Sequence, residues 1–105
     1  MEARVKVFLC TDGRPVMGPG RYALLLAIER EGAVKRAAER LGWSYEYARR
    51  SLQSLERAFG RKIVETRRGG AEGGGARLTR FGRRLLREYE RAVEEVRKRG
   101  LKPIL

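Results

Sequence analysis

Apolar residues recur at helical spacing in the middle of the chain. Four of them follow at intervals of four, three and four residues: Ala48, Leu52, Leu55 and Phe59. This spacing predicts a helix over 44–59 with one buried face. Ser44 can cap it, because its hydroxyl oxygen can accept a free backbone N–H of the first turn. The opposite face carries side chains left for a partner: Tyr45, Glu46, Arg49, Arg50 and Gln53.

A second helix and a tight turn precede this one. The segment 33–41 is predicted to be helical, and Gly42 allows the positive φ that ends it. Ala38 lies where two helices would cross, a place that admits only a small side chain. Ala33 supplies no capping side chain, so this helix has the least defined start. The pattern is typical of a helix-turn-helix that inserts its second helix into DNA; an ordinary helical hairpin is the alternative.

The N-terminal part is predicted to contain one strand and one helix. Polar and apolar side chains alternate over 3–9, the period of a half-buried strand. Glycines and prolines over 11–20 predict turn and loop. A helix over 21–31 follows, with Gly32 as its stop.

A glycine-rich hairpin is predicted over 62–78, beside the central helix. Its tip, Gly69 to Gly75, has Gly75 and Ala76 where a nucleotide-binding P-loop needs Lys and Ser or Thr. We therefore interpret the hairpin as a wing, with a flexible linker as the alternative. Glycines such as Gly73 and Gly74 let backbone N–H groups approach phosphates. Four cations flank the tip: Arg67, Arg68, Arg77 and Arg80.

The last predicted helix covers 79–99 and is capped by Thr79. Its apolar stripe is longer than a small core needs. We expect its outer half to pack on a second subunit, which gives a homodimer with two recognition helices. The residues of this expected dimer interface are Tyr89, Val93 and Val96. The pattern as a whole predicts one domain over 1–105, mainly α with a small β-hairpin (α+β), a winged helix-turn-helix with a long C-terminal dimerisation helix.

Charge indicates the partner. The formal net charge is +12 at a pI of about 11, and residues 61–87 hold nine cations against two carboxylates. A basic surface that serves only solubility would not concentrate the excess positive charge in one segment of the chain. Twenty of the 25 cations are Arg, whose planar fork grips phosphate or guanine. Double-stranded DNA is the expected partner.

Other classes of protein are disfavoured. Cys10 is the single cysteine and histidine is absent, which excludes a zinc finger, a Cys–His nucleophile and a disulfide framework within one chain. We expect no enzyme activity, no metal, no cofactor and no small-molecule effector. Neither a membrane span nor a secretory signal is evident, so a cytoplasmic, nucleoid-associated protein is expected. The absence of Asn fits a high-temperature source, or simply a GC-rich gene.

Several motifs together resemble a known family. They are Gly20-Arg21, Leu24-Leu25, Ala27-Ile28, Glu31-Gly32, Ala37-Ala38, Leu41-Gly42-Trp43-Ser44-Tyr45, Ala48, Phe59-Gly60, Gly69-Gly70, Gly73-Gly74-Gly75-Ala76, Leu78-Thr79, Gly82, Leu85-Leu86 and Tyr89. The chain resembles the N-terminal DNA-binding domain of ModE-type, molybdate-responsive regulators, which is itself similar to the LysR-type winged helix-turn-helix. The combination covers nearly the whole chain.

The resemblance implies roles for individual residues. It implies that Ser44 and Tyr45 open the recognition helix at the DNA groove, that the Gly69–Gly75 tip contacts the backbone, and that the first and last helices dimerise. Glu46 and Tyr47 stand where the family usually has basic residues, and Arg49 replaces a frequent Trp. The preferred DNA sequence therefore cannot be transferred. We expect the molybdate-binding domains to be missing, so the resemblance does not imply oxyanion sensing.

We predict a sequence-specific transcriptional regulator that binds duplex DNA as a homodimer. One alternative is an architectural DNA-binding protein with little base discrimination. Glu46 argues against it, because an acid near the groove repels phosphate and is useful mainly if it accepts from cytosine or orients an Arg. An RNA- or protein-binding winged helix is the second alternative.

Overall fold

The computed structural model describes residues 1–68 and 74–105. Within these residues the chain forms four helices: α1 (Pro19–Glu31), α2 (Val34–Leu41), α3 (Tyr45–Phe59) and α4 (Arg80–Lys98). The same residues form six short strands: β1 (Arg4–Val5), β2 (Leu9–Thr11), β3 (Arg14–Met17), β4 (Val64–Arg67), β5 (Gly75–Leu78) and β6 (Lys102–Pro103). The strands pair as β1–β6, β2–β3 and β4–β5. The predicted class, mainly α with a small β-hairpin, is confirmed.

Local interactions explain where the helices begin. The Ser44 hydroxyl oxygen accepts the Tyr47 N–H at 3.1 Å, and the Thr79 hydroxyl oxygen accepts the Gly82 N–H at 3.0 Å. α2 follows Ala33 without a side-chain cap. α1 begins at Pro19 rather than at residue 21, because proline fits the first helical turn, where its missing N–H would have no partner.

The core lies where α1 crosses α2 and α3. Ala37 and Ala38 of α2 are almost completely buried, and their small side chains let the helices approach closely. Large apolar residues of α1, α3 and α4 pack in the same cluster: Leu24, Leu25, Ile28, Leu52, Leu55, Leu85, Leu86, Tyr89 and Val93. Since burial of each large side chain contributes about 1.5–3 kcal/mol, this cluster holds the recognition helix in place.

The single strand predicted over 3–9 is wrong. The segment contains β1 and only the first residue of β2, and the predicted loop over 11–20 contains β3. The two strands belong to different sheets: β1 pairs in parallel with β6, whereas β2 pairs antiparallel with β3. Alternating side chains report which face of a strand is buried, not which strand lies beside it. The signal for the hairpin is the turn Asp12-Gly13, which has φ of 50° and 74° and is typical of a two-residue connection.

The dimer interface predicted on α4 is also wrong for two of its three residues. Tyr89 is 0% exposed and Val93 is 4% exposed within the chain itself. The Tyr89 ring stacks on Tyr22 with centroids 4.7 Å apart, and its hydroxyl donates to the Val7 carbonyl oxygen at 2.9 Å. This burial raises the pKa of the Tyr89 hydroxyl. The segment between β1 and β2 thus contacts α4 at Tyr89, while Val96 stays half-buried.

Candidate nucleic-acid interface

The exposed surface of α3 has an outer face and two flanks. At 100° per residue, Ala48, Leu52 and Leu55 point inward, and Glu46, Arg50 and Gln53 point outward. Tyr45 lies on one flank and Tyr47 on the other, with 51% and 57% of their surfaces exposed. The structure therefore places every predicted residue of this helix on its accessible side.

Glu46 organises the outer face. One of its carboxylate oxygens accepts hydrogen bonds from Arg49 at 3.1 Å and from Arg50 at 3.3 Å. These bonds, led by the one from Arg49, hold the pKa of the Glu46 carboxyl below its usual value. The three side chains are about half exposed or more, so the cluster adds little to folding stability. Its consequence is geometric: two guanidinium groups are held by one carboxylate.

The wing is fixed to the helices at its base. The Glu56 carboxylate accepts the backbone N–H groups of Ile63 at 2.8 Å and Val64 at 3.3 Å. The Ala76 N–H donates to the Gly32 carbonyl oxygen at 2.8 Å. β4 and β5 are therefore anchored both to α3 and to the turn between α1 and α2.

The four predicted wing cations lie in different settings. Arg67 and Arg68 are exposed near the tip, and Arg80 is exposed at the start of α4. Arg77 forms an ion pair with Glu65 across the hairpin, with 3.3 Å between nitrogen and oxygen. Gly74 is placed at the end of the described hairpin, whereas the predicted contact at Gly73, like the rest of 69–73, lies outside the described residues.

A groove of about 430 Å³ joins the wing to the helix-turn-helix. It brings together Tyr45, Arg67 and Gly74 from the predicted set. It also includes Lys35 and Arg36 at the uncapped start of α2, which the sequence interpretation missed. The signal was present, since two cations beside a helix start without a capping residue suit an anion.

Tyr47 is a second missed residue. Its ring packs edge-on against Trp43 with centroids 5.0 Å apart, yet more than half of its surface is exposed. An exposed aromatic ring held in a fixed orientation on a recognition helix is a candidate contact to sugar, phosphate or a base methyl group. The sequence signal was the position of Tyr47, three residues after the Ser44 cap and thus in the first turn of α3.

Comparison with known proteins identifies the family. Residues 20–83 match the family described as bacterial regulatory helix-turn-helix protein, lysR family. The chain belongs to this lysR family. Among its relatives is the transcriptional regulator ModE of Yersinia pestis, 34% identical over 90 residues, or 86% of this chain and 34% of that protein. The molybdenum transport protein ModE of Azotobacter vinelandii is 37% identical over 89 residues, covering 85% and 33% of the two chains.

These matches confirm the predicted resemblance to ModE-type regulators. This chain spans about a third of the length of either relative. A solved structure of the lysR family, the CbnR DNA-binding domain in complex with DNA, superimposes with a TM-score of 0.58 at 26% identity over 75% of this chain and 85% of that one. The predicted winged helix-turn-helix fold is thereby confirmed.

Within residues 1–68 and 74–105, no helix is long and apolar enough to cross a membrane. In the same residues no three His, Cys, Asp or Glu side chains come close enough together to bind a metal ion.

Proposed function

We propose that this protein binds duplex DNA at specific sites as a transcriptional regulator, with α3 in the major groove. The observation that carries the proposal is the outer face of α3, where Glu46 holds Arg49 and Arg50 away from the core and toward solvent. A guanidinium group that is already oriented can form bidentate hydrogen bonds to guanine. The DNA-bound CbnR domain supports this use of the fold. Such a regulator acts at the bacterial nucleoid, without a catalytic step.

The other exposed residues divide into base-facing and backbone-facing groups. Base contacts are assigned to the remaining predicted residues of α3: Ser44, Tyr45 and Gln53. Phosphate contacts are assigned to the wing and to the first residues of α2 and α4: Lys35, Arg36, Arg67, Arg68, Gly74, Arg77 and Arg80. Backbone contacts fix the position of a protein on DNA, and base contacts select the sequence.

A homodimer is part of the proposal, with an interface different from the one predicted on Tyr89 and Val93. The outer face of α1 is the candidate, because Tyr22 and Leu26 remain partly exposed there. They line a shallow apolar cleft with Leu41 and Leu105. Two recognition helices related by a two-fold axis would then meet a palindromic site.

Salt dependence tests the electrostatic part of the proposal. A dimer that neutralises about eight phosphates should lose affinity with a slope of log affinity against log salt near −7. Fluorescence anisotropy measures this slope between about 50 and 300 mM salt, with one duplex selected for tight binding and one of random sequence. A slope flatter than about −2, or no binding at low salt, would contradict the proposal. Equal affinity for the selected and the random duplex would favour an architectural protein.

Glu46→Gln tests the specific part. The substitution removes the charge that holds Arg49 and Arg50, so both can turn to any phosphate. Binding to random duplex should strengthen about threefold, and the ratio of specific to random affinity should fall about tenfold, the range of one good base contact. Because the pKa of Glu46 is already lowered, acidification of the parent to about pH 5 should not reproduce this loss.

Glu94→Gln is the matched control for that experiment. Glu94 pairs with Arg97 on α4 in the same i,i+3 arrangement, with 3.7 Å between nitrogen and oxygen. It carries the same charge but lies outside the proposed interface. An equal effect of both substitutions would mean that net charge alone matters, and that Glu46 does not orient the Arg pair.

A further inference from the structure

The β2–β3 hairpin and the wing lie on opposite sides of α3. Tyr45 and Glu56 point to the wing, and Ser54, nine residues after Tyr45, points the other way. Arg21 ties Ser54 to the hairpin, because its guanidinium donates to the Val16 carbonyl oxygen at 2.6 Å and to the Ser54 hydroxyl at 3.1 Å. The recognition helix therefore stands between two β-hairpins.

The N-terminal hairpin is held rigidly in this position. Met17, at the end of β3, is completely buried in the core. The Phe8 ring packs so closely on Gly18 that a Cβ on this glycine would lie 2.6 Å from the ring. A hairpin fixed at its base by these contacts and by Arg21 can act as a preformed surface.

A groove of about 650 Å³ separates this hairpin from α3. Its walls carry three aromatic rings and three cations: Phe8, Trp43, Tyr47, Lys6, Arg21 and Arg50. None of its lining residues in the described chain is a carboxylate. The Lys6 ammonium lies 5.8 Å from the centroid of the Phe8 ring, and among the ion pairs of the described residues it has no carboxylate partner. The groove is suited to an anion.

One wall of this groove lies outside the region that matches the family. The lysR family match begins at residue 20, after the whole β2–β3 hairpin and after Lys6 and Phe8. The groove is nonetheless continuous with the recognition helix, since Tyr47 and Arg50 belong to both. When α3 occupies the major groove, the sugar-phosphate backbone that borders this DNA groove lies against the neighbouring protein surface.

We propose that the β2–β3 hairpin is a second wing, and that its groove holds the DNA backbone on the side of α3 opposite to the first wing. This inference rests on the proposed function. Lys6 contacts a phosphate and the Tyr47 hydroxyl donates to a backbone oxygen, while Arg50 stays paired with Glu46 at the edge of the groove. Arg21 is engaged within the protein and positions the hairpin. Asp12 at the turn repels phosphate, so the backbone follows the groove and not the tip.

Lys6→Ala tests the phosphate contact, with Lys98→Ala as the matched control. Both lysines are exposed, but Lys98 lies at the end of α4 and pairs with Glu95 at 3.5 Å. Lys6→Ala should weaken binding to specific and random duplex alike, by about five- to tenfold at 0.1 M salt, and flatten the salt slope by about one per protomer. Lys98→Ala should stay within about twofold of the parent.

The natural cysteine gives an independent test of position. Cys10 is exposed on β2 and is the register partner of Pro15, which lines the groove. Cross-strand partners share one face of a hairpin. An iron–EDTA reagent attached to Cys10 should therefore cut the DNA backbone beside the recognition site. The control carries the reagent on α4 through Cys10→Ser combined with Glu94→Cys and should give no specific cuts.

The outcomes separate this inference from the proposed function. Failure of the parent protein to bind duplex DNA overturns both. Binding by the parent, with Lys6→Ala indistinguishable from Lys98→Ala or with no cuts from Cys10, overturns the second wing alone. An effect of Lys6→Ala confined to single-stranded DNA would place unpaired bases on Phe8 and Tyr47 and also overturn it. A uniform loss on duplex together with cuts from Cys10 supports it.

Discussion

Combined replacement of Tyr89 and Val93 by glutamate should unfold the protein. Both side chains are buried within the chain, and the Tyr89 ring is stacked on Tyr22. Each substitution removes a packed side chain and places a carboxylate in apolar surroundings, which costs more than about 4 kcal/mol. Two such costs exceed the stability of many domains of this size, about 5–15 kcal/mol. Circular dichroism at 25 °C should show the loss of helix.

Arg91→Glu with Arg97→Glu provides the control on the same helix. These side chains are 72% and 51% exposed, and each pairs with a glutamate one turn away. Their replacement should cost about 1 kcal/mol or less in total and leave the helical signal intact. A folded, monomeric Tyr89→Glu, Val93→Glu protein would instead restore these residues as the dimer interface that the sequence predicted.

Gly82→Ala should destabilise the protein strongly, although it adds only one methyl group to α4. A Cβ on Gly82 would collide with the Ile63 carbonyl oxygen and lie 3.2 Å from the Ile63 Cγ2 atom. That carbonyl also accepts the Thr79 N–H at 2.8 Å, so α4 cannot move away without losing the bond that joins it to the wing. We expect a loss of about 3 kcal/mol, equivalent to a melting temperature lower by about 15 °C.

Gly20→Ala is the matched control, since Gly20 is also a helical glycine. A Cβ there would meet only the Trp43 ring, at 3.9 Å, an ordinary van der Waals distance. Because alanine favours the helix over glycine by up to about 1 kcal/mol, the melting temperature should stay unchanged or rise. Similar losses for both substitutions in differential scanning calorimetry would show that the close approach at Gly82 is not what matters.

The helix-turn-helix could be predicted because its determinants are local. Ala48, Leu52 and Leu55 repeat at helical spacing, and the structure buries all three. Ser44 lies next to the helix that it caps, so its role can be inferred from adjacent residues. The pairing of Glu46 with Arg49 and Arg50 also spans only three and four residues, which made an orienting role foreseeable.

The errors concern contacts between distant parts of the chain. Tyr89 is covered by Val7, 82 residues away, and an apolar stripe does not reveal whether its cover comes from the same chain or from another. The groove beside β2 and β3 depends on Arg21 reaching Ser54 across 33 positions. Contacts between residues so far apart produce no periodic pattern in the sequence. The Asp12-Gly13 turn was the one local sign of the N-terminal hairpin.

The pairing of β1 with β6 bears on the order of folding. Arg4 aligns with Lys102, and the Ile104 N–H donates to the Val5 carbonyl oxygen at 2.9 Å. Pairing these segments closes a long loop, and only two residues on each strand offset the entropic cost of closing it. We therefore expect this pair to form after α1 and α4 have packed and to open more readily than the core. Val7 follows β1 directly, so each fraying event also loosens the acceptor of the Tyr89 hydroxyl and links the outermost strand to the centre of the core.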